Sequence, residues 1–462
     1  MASIIQTNTP SIYNLSYGHN VHSFYDNDTD GYRFVSRVFN SVDDTLKADV
    51  RQLPNLAGYA HFDVQNILKT YTKSSPNLEE ITKLQSAQNE CFQYYINYGA
   101  YDGTSIIATG NTTDYVVFNG RKNFDELDWD YTPYVAFGKT SASPVGDALT
   151  IDDKMIAMTD RTPNQTLLGS DITDGKPSRL SNSDTCYVYD IWSHQDYTLS
   201  YINGVVASPG ETLPTFTNGI NGFFIAAYDG NTEILNTSIE NIISNGGGQD
   251  TAPGDEIQPT GGYNGVSIQT GIRNSLLNGQ TYTHMYICPW AWLNGYSPTT
   301  LGVVELGDWY RFEFNDPSEC NDFDPIEVSW LNSFGFRDYF VFQKRKDYSI
   351  NITRDTYQKV NGTWSEATFG VNQYDRGEAV FSQLLEENYT INTRYLKDDE
   401  ATFLKNLFIS PDVRVRFYGD TDWTPVVLTS NTWNERTFRK DRLFQNTITF
   451  KTSNKLNIQR GV

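Results

Sequence analysis

Apolar and polar residues alternate in many short runs along this chain, and such alternation is typical of half-buried β-strands. Examples are RFVSRVFN, CFQYYINYGAY and DYSINITRDTYQKV. Gly, Asn, Asp and Ser separate the runs at short intervals, as they do in β-sandwich proteins. One segment, DDEATFLKNLFIS, instead repeats apolar residues at helical spacing, which predicts that Phe403, Leu404, Leu407 and Phe408 share one face. The pattern predicts a mainly β fold with minor α structure.

The stretch IEVSWLNSFGFRDYFVF, from Ile326 to Phe342, is especially rich in aromatic residues. Apolar positions alternate before Gly335 and crowd together after it, which predicts two buried strands joined by a tight bend. Glycine adopts a positive φ without the strain that a side chain would cause. We expect this segment to be the rigid centre of its domain, with a structural core made of Trp330, Gly335, Tyr339, Phe340 and Phe342.

A Gly- and Pro-rich stretch, NGGGQDTAPGDEIQPTGG, interrupts the strand pattern near the middle of the chain. Apolar residues almost vanish there, which is typical of a flexible linker. We therefore predict an acidic β-sandwich domain over residues 1–245 and a linker over 246–262. Residues 263–462 are predicted to form an α+β sheet domain with one short helix and a basic C-terminal hairpin.

The formal net charge of the 462-residue chain is −21, which argues against a nucleic-acid reader because phosphate contacts require clustered Lys and Arg. The last segment, residues 431–462, has a net positive charge, with seven Lys or Arg residues against two acidic ones. Its basic residues predict an interaction site, since complementary charge favours contacts between copies or with a partner. The predicted interaction residues are Arg436, Arg439, Lys440 and Arg442.

No apolar run is long enough to cross a bilayer, and the N-terminus lacks the basic start and apolar core of a secretory signal. We expect a protein that is not exported by the standard route and has no membrane partner. The four cysteines show no CxxC spacing, which favours free, mostly buried thiols over a zinc site.

The segment YDNDTDGYRF places Asp26, Asp28 and Asp30 in the spacing of the first half of an EF-hand loop. Arg37 occupies the twelfth position, where a calcium loop needs glutamate, and a predicted strand follows in place of a helix. These residues are therefore a weak metal candidate, and a solvated turn is the favoured interpretation.

Acidic residues in NFDELDWDY, including Asp128 and Asp130, could supply the carboxylate pair of a glycoside hydrolase. A surface loop explains them better. The chain has no nucleophile elbow and no phosphate-binding glycine motif. We expect no enzymatic activity and no cofactor.

Three patches of the sequence share one layout. The first is RFVSRVFN followed by LPNLAGYAHFDVQNILKTY, and the second is VSWLNSFGFRDYFVF. The third is the closing segment, with a short helix, an SPDV turn and a Pro-Val-Val strand leading to TFKTSNKLN. Together these patches resemble virion structural proteins of tailed phages that infect Bacteroidetes, including crAss-like phages. None of them is a catalytic signature.

This resemblance implies a tail or neck protein that forms a high-order cyclic ring and contacts other tail or portal proteins. Such a ring is assembled in the host cytoplasm, becomes part of the virion and lets genomic DNA pass without binding it specifically. The acidic composition fits a DNA conduit, because like charge keeps phosphates from adhering to the wall. The alternative is a receptor-binding tail fibre or spike, with or without glycan-hydrolase activity.

Overall fold

A computed structural model describes the fold. It covers residues 4–10, 13–26, 32–72, 85–87, 91–121, 175–178, 180, 186–192, 198–203, 222–240, 262–267, 280–292, 303–305, 309–315, 323–333, 335, 337–359, 362–364, 367–371, 377–396, 398–430, 445–454 and 456–457. Strands dominate this part of the chain, and two helices accompany them. The predicted mainly β fold with minor α structure is confirmed.

The chain divides into two compact units. The first unit comprises Met1–Asp316 and Leu331–Asp338, and the second comprises Pro317–Trp330 and Tyr339–Val462. This division differs from the predicted boundary at 246–262. Residues 246–261 of the predicted linker lie outside the described residues.

The first unit begins with two sheets that enclose an aromatic core, in the manner of a β-sandwich. Its elements are β1 (Ile5–Asn8), β2 (Tyr13–Leu15), β3 (Val21–Tyr25), β4 (Arg33–Asn40), β5 (Leu46–Gln52), β6 (Tyr59–Asp63), α1 (Gln65–Leu68), β7 (Gln85–Ala87), β8 (Cys91–Tyr101), β9 (Ile106–Asn111) and β10 (Tyr115–Phe118). The sheet orders are β1-β3-β6 and β2-β10-β8-β4-β5, with β9 beside β8. Phe24 and Phe62 from one sheet pack with Phe34, Tyr94 and Ile96 from the other.

A second part of the first unit contains a six-stranded and a three-stranded sheet. Its strands are β11 (Cys186–Trp192), β12 (Thr198–Asn203), β13 (Gly222–Asp229), β14 (Thr232–Glu240), β15 (Gly262–Ser267), β16 (His284–Trp292), β17 (Val303–Glu305) and β18 (Trp309–Asn315). The orders are β11-β18-β16-β13-β14, with β17 beside β16, and β12-β15-β7. Strands from both sides of the predicted linker therefore share sheets. Loop composition marks a break between strands, but it does not reveal whether the flanking strands pair.

The second unit is built mainly on one eight-stranded sheet, although Leu331, Arg337 and Asp338, at the ends of two of its strands, fall in the first unit. Its elements are β19 (Ile326–Leu331), β20 (Arg337–Phe342), β21 (Lys346–Gln358), β22 (Thr363–Trp364), β23 (Phe369–Gly370), β24 (Glu378–Asn392), α2 (Asp398–Ile409), β25 (Val413–Phe417), β26 (Thr424–Leu428), β27 (Thr447–Thr452) and β28 (Leu456–Asn457). The order is β20-β19-β25-β26-β27-β24-β21, with β28 beside β24. β22 and β23 form a separate two-stranded sheet.

Helix α2 covers part of one face of this sheet. Phe403, Leu404 and Leu407 lie on the same side of the helix and are buried in the core of the unit. The ring of Phe403 lies 5.0 Å from that of Trp330, centroid to centroid. The helical spacing in the sequence therefore identifies the residues that face the sheet.

The aromatic-rich segment forms β19, a bend and β20. Trp330, Tyr339, Phe340 and Phe342 are all buried. Gly335, in the bend, has a φ of +89°, a conformation that favours glycine. A Cβ atom on Gly335 would also overlap the backbone carbonyl of Asn119, so both the conformation and the space exclude a side chain there.

Candidate assembly surface

Strands β21 and β24 form a long antiparallel hairpin in the second unit. Their register runs from Lys346 opposite Ile391 to Gln358 opposite Glu378, and a bulge in β24 opposes Asp355 and Thr356. All 13 residues of β21 are exposed. A strand of this length with no buried residue is unusual, because strands normally bury at least one face.

Three apolar side chains form a stripe along β21. Tyr348, Ile350 and Ile352 alternate in sequence and so project from one face of the strand. They remain 47%, 45% and 41% exposed. We call these three residues the β21 stripe.

The β21 stripe extends the core-facing side of the sheet. Tyr348 lies opposite Tyr389 of β24, with ring centroids 4.9 Å apart. Tyr389 in turn lies 5.0 Å from Phe417 and 5.3 Å from Phe450, at the margin of the buried core. The apolar face therefore continues from the core beneath α2 to an exposed margin at β21.

The hydroxyl groups of Tyr348 and Tyr389 are the polar atoms of the aromatic side chains at this margin. The Tyr348 hydroxyl donates to Glu387 Oε1 at 2.8 Å, and this bond raises the pKa of Tyr348. Burial raises the pKa of Tyr389 to about 12. Both phenols are therefore neutral at pH 7 and add no charge to the stripe.

The outer edge of β21 ends the sheet in the described part of the chain. Alternate residues of such an edge strand direct their N–H and C=O groups away from the sheet, where another strand can pair with them. The six residues from Tyr348 to Thr353 include no charge, glycine or proline. This stretch lacks the usual devices that prevent strand addition.

The edge strand β5 of the first unit provides a contrast. It carries Lys47, Asp49 and Arg51 within seven residues, and its pairing with β4 contains a bulge. Asp49 forms ion pairs with Arg37 and Arg51. Charges and bulges of this kind discourage edge-to-edge pairing. Of these two edges, only β21 has an uncharged and regular centre.

A second group of polar residues lies in the first unit, on the β11–β18 pair. Parallel pairing places Asp190 beside Glu313. Arg311 contacts Glu313 at 2.9 Å and donates to the Tyr286 hydroxyl at 2.7 Å. Burial, followed by the nearby Asp190, raises the pKa of Glu313, while Arg311 opposes that rise. This cluster is an ionic network within a sheet, and its members are too far apart in the chain for a local sequence pattern to reveal it.

The predicted interaction residues Arg436, Arg439, Lys440 and Arg442 lie outside the described residues. The same is true of Asp128 and Asp130. Their assignments stay predictions.

The weak metal candidate is only partly described. Asp26 is buried, and its backbone N–H donates to the carbonyl of Gly58 at 3.2 Å. Asp28 and Asp30 lie outside the described residues. Across the described ranges, no three His, Cys, Asp or Glu side chains gather closely enough to hold a metal ion. Cys186 and Cys288 are both buried.

The two described helices include none that is long and apolar enough to cross a membrane.

Comparisons with known proteins do not identify a family. No family model matches the chain, and no curated protein matches it. Among solved structures, a marsupial T cell receptor aligns over 84% of this chain and 96% of its own, at 9% identity and a TM-score of 0.17.

Proposed function

We propose that this chain is a structural subunit of a phage virion, which assembles into a cyclic ring in the short tail or neck. The structural observation that supports assembly, without fixing its symmetry, is the exposed β21 edge. An edge of this length with an uncharged apolar centre is an aggregation hazard in an isolated monomer and a useful surface in an assembly. The patches of sequence that resemble phage virion proteins supply the identity of that assembly.

The buried aromatic cores support a role based on shape. Trp330 and its neighbours lie in a dense core under α2. In the bend, a side chain on Gly335 would overlap the backbone of Asn119. Close-packed cores of this kind hold a subunit in one conformation. Repeated heterologous contacts between rigid subunits close a ring when their rotation angle divides a full turn.

The basic C-terminal residues and the acidic remainder of the chain have complementary charges. In the proposed ring, Arg436, Arg439, Lys440 and Arg442 pair with acidic patches on a neighbouring subunit or on an adjacent tail protein. The net charge of −21 keeps passing DNA from adhering to the conduit, because like charges repel.

Electron microscopy of the purified protein, and of a virion that contains it, tests the proposal. A high-order cyclic particle at an axial position in the tail is the expected result. Trimers with glycan turnover would instead support the receptor-binding fibre, and a monomer at every concentration would exclude both assemblies. Reversing Arg439 and Lys440 to Glu is expected to weaken the ring, and intact rings of that variant at raised salt would contradict the pairing role.

A further inference from the structure

We propose that β21 is a homotypic pairing edge, at which two copies of this chain join their β21 strands antiparallel about a two-fold axis at Ile350. A two-fold contact joins only two copies, so it cannot by itself build a high-order ring. The pairing is therefore additional to the contacts of the proposed function and joins subunits across rings or in pairs.

The spacing of the apolar residues defines the register. A two-fold axis perpendicular to the sheet keeps the same faces of both strands on one side, so stripe residues must oppose stripe residues. With Ile350 on the axis, Tyr348 of each copy lies opposite Ile352 of the other. Six apolar side chains then form one continuous surface, and directly opposed pairs of this kind stabilise sheets.

The charges at the ends of the pairing region fit the same register. Arg345, directly before β21, comes opposite Asp355 of the second copy, and symmetry repeats this pair. Arg345 now contacts Asp347 at 2.7 Å, with the two side chains 71% and 52% exposed. Such an exposed pair contributes little, so Arg345 can change partners at little cost.

One pair of like charges also meets in this register, Lys346 with Arg354 of the second copy. The Lys346 ammonium, however, lies over the ring of Phe417, 5.8 Å from its centroid. Phe417 belongs to β25, on the inner side of the sheet relative to β21. The ammonium is therefore directed away from the pairing edge, which reduces the repulsion.

The size of the contact sets the conditions for detecting it. The uncharged stretch ends before Arg354, and each copy contributes three half-exposed apolar side chains. This surface is smaller than the roughly 1,200 Å² that stable interfaces bury. We therefore expect weak pairing of the free protein, which a covalent trap reveals better than an equilibrium method.

Cysteine trapping of the full chain tests the register. In the proposed dimer, residue 350 faces itself across the axis at the Cα separation of roughly 5 Å that opposed residues have, within disulfide range. Ile350→Cys is expected to gain a covalent dimer under mild oxidation. Tyr348→Cys alone should not, because its two copies lie four residues apart, or roughly 13 Å. Wild type gives the background from the four native cysteines.

A mixture of Tyr348→Cys with Ile352→Cys is the second, independent pair, and the mixed dimer is expected to form. Far-UV circular dichroism checks that each variant is folded. Absence of both covalent dimers from folded protein would overturn the proposal, as would equal trapping of Tyr348→Cys alone. A charge exchange adds a further test: Arg345→Asp should reduce trapping at position 350, and adding Asp355→Arg should restore it.

The result is separable from the test of the proposed function. If electron microscopy shows rings but Ile350→Cys forms no covalent dimer, only the homotypic pairing is refuted. If Ile350→Cys forms the covalent dimer, Tyr348→Cys alone does not, and the protein never assembles beyond a dimer, the ring is refuted and the pairing stands.

Discussion

The backbone carbonyl of Asn119 occupies the space that a Cβ atom on Gly335 would need. Nearby, the backbone N–H of Arg121 donates to the carbonyl of Ser333 at 2.7 Å. Within the first unit, the bend around Gly335 is therefore held against the end of β10 by backbone groups. Backbone atoms move less readily than side chains, so this contact tolerates little change.

Replacement of Gly335 by alanine is expected to destabilise the protein strongly. The positive φ alone costs about 1–2 kcal/mol for a residue with a Cβ, and the overlap with Asn119 adds to it. Gly419→Ala is the matched control, because Gly419 has a φ of +90° and open space around it. Urea unfolding of both variants separates the two effects. Equal losses of stability would show that the Asn119 contact relaxes without cost.

Truncation of the buried face of α2 should create a cavity. Leu404→Ala is expected to lower the free energy of unfolding by about 2–5 kcal/mol, the range for buried leucines. Ile409→Ala, on the same helix but at a residue that is 39% exposed, should cost much less. Denaturant unfolding measures both. A similar loss at the two positions would contradict the burial of Leu404 and the exposure of Ile409.

The Arg416 guanidinium is expected to contribute more than an ordinary surface charge. Its Nε donates to Glu327 Oε2 at 2.9 Å, both side chains are 12% exposed, and the guanidinium lies 4.8 Å from the ring centroid of Trp423. Arg416→Lys keeps the charge but loses the planar donors, so we expect a loss of about 1–3 kcal/mol.

Arg414→Lys is the control for that variant. Arg414 lies two residues earlier on β25, and its contact with Asp412 at 3.1 Å is more exposed. A loss below about 1 kcal/mol is expected there. Thermal or chemical unfolding compares the two, and an equal effect would mean that the Glu327 and Trp423 contacts add nothing.

Acid sensitivity is expected from His22. Burial lowers its pKa from 6.5 to about 3, although Asp63 acts in the opposite direction. Between those values the unfolded chain binds a proton that the folded chain does not. Stability is therefore fully present above pH 6.5 and falls as the pH drops, by up to about 1.4 kcal/mol per pH unit.

Unfolding measured from pH 7 to pH 5 tests this expectation, before most carboxylates titrate. His22→Gln removes the titrating group, so its stability should depend less on pH over the same range. The variant also alters the contact of His22 Nε2 with the Tyr94 hydroxyl at 3.2 Å, so slopes rather than absolute stabilities are compared. Parallel slopes for the two proteins would exclude His22 as the source.

Local sequence patterns predicted much of the fold. The helical spacing of Phe403, Leu404 and Leu407 identified the buried face of α2, and the aromatic run around Gly335 identified two buried strands and their bend. These features depend on backbone periodicity and on the conformational freedom of glycine, which short segments determine for themselves. The domain boundary was less predictable, because pairing between β13 and β16 depends on residues far apart in the chain.

The sequence by itself determined which residues alternate and therefore which share a face, including Tyr348, Ile350 and Ile352. Only the tertiary structure decided that β21 lies at the edge of its sheet and that this stripe stays exposed, beyond the core beneath α2. It also decided that parallel pairing brings Asp190 beside Glu313. The physical reason is the same in each case: alternation is a property of one strand, whereas the neighbour of a strand and the cover on its face depend on long-range contacts.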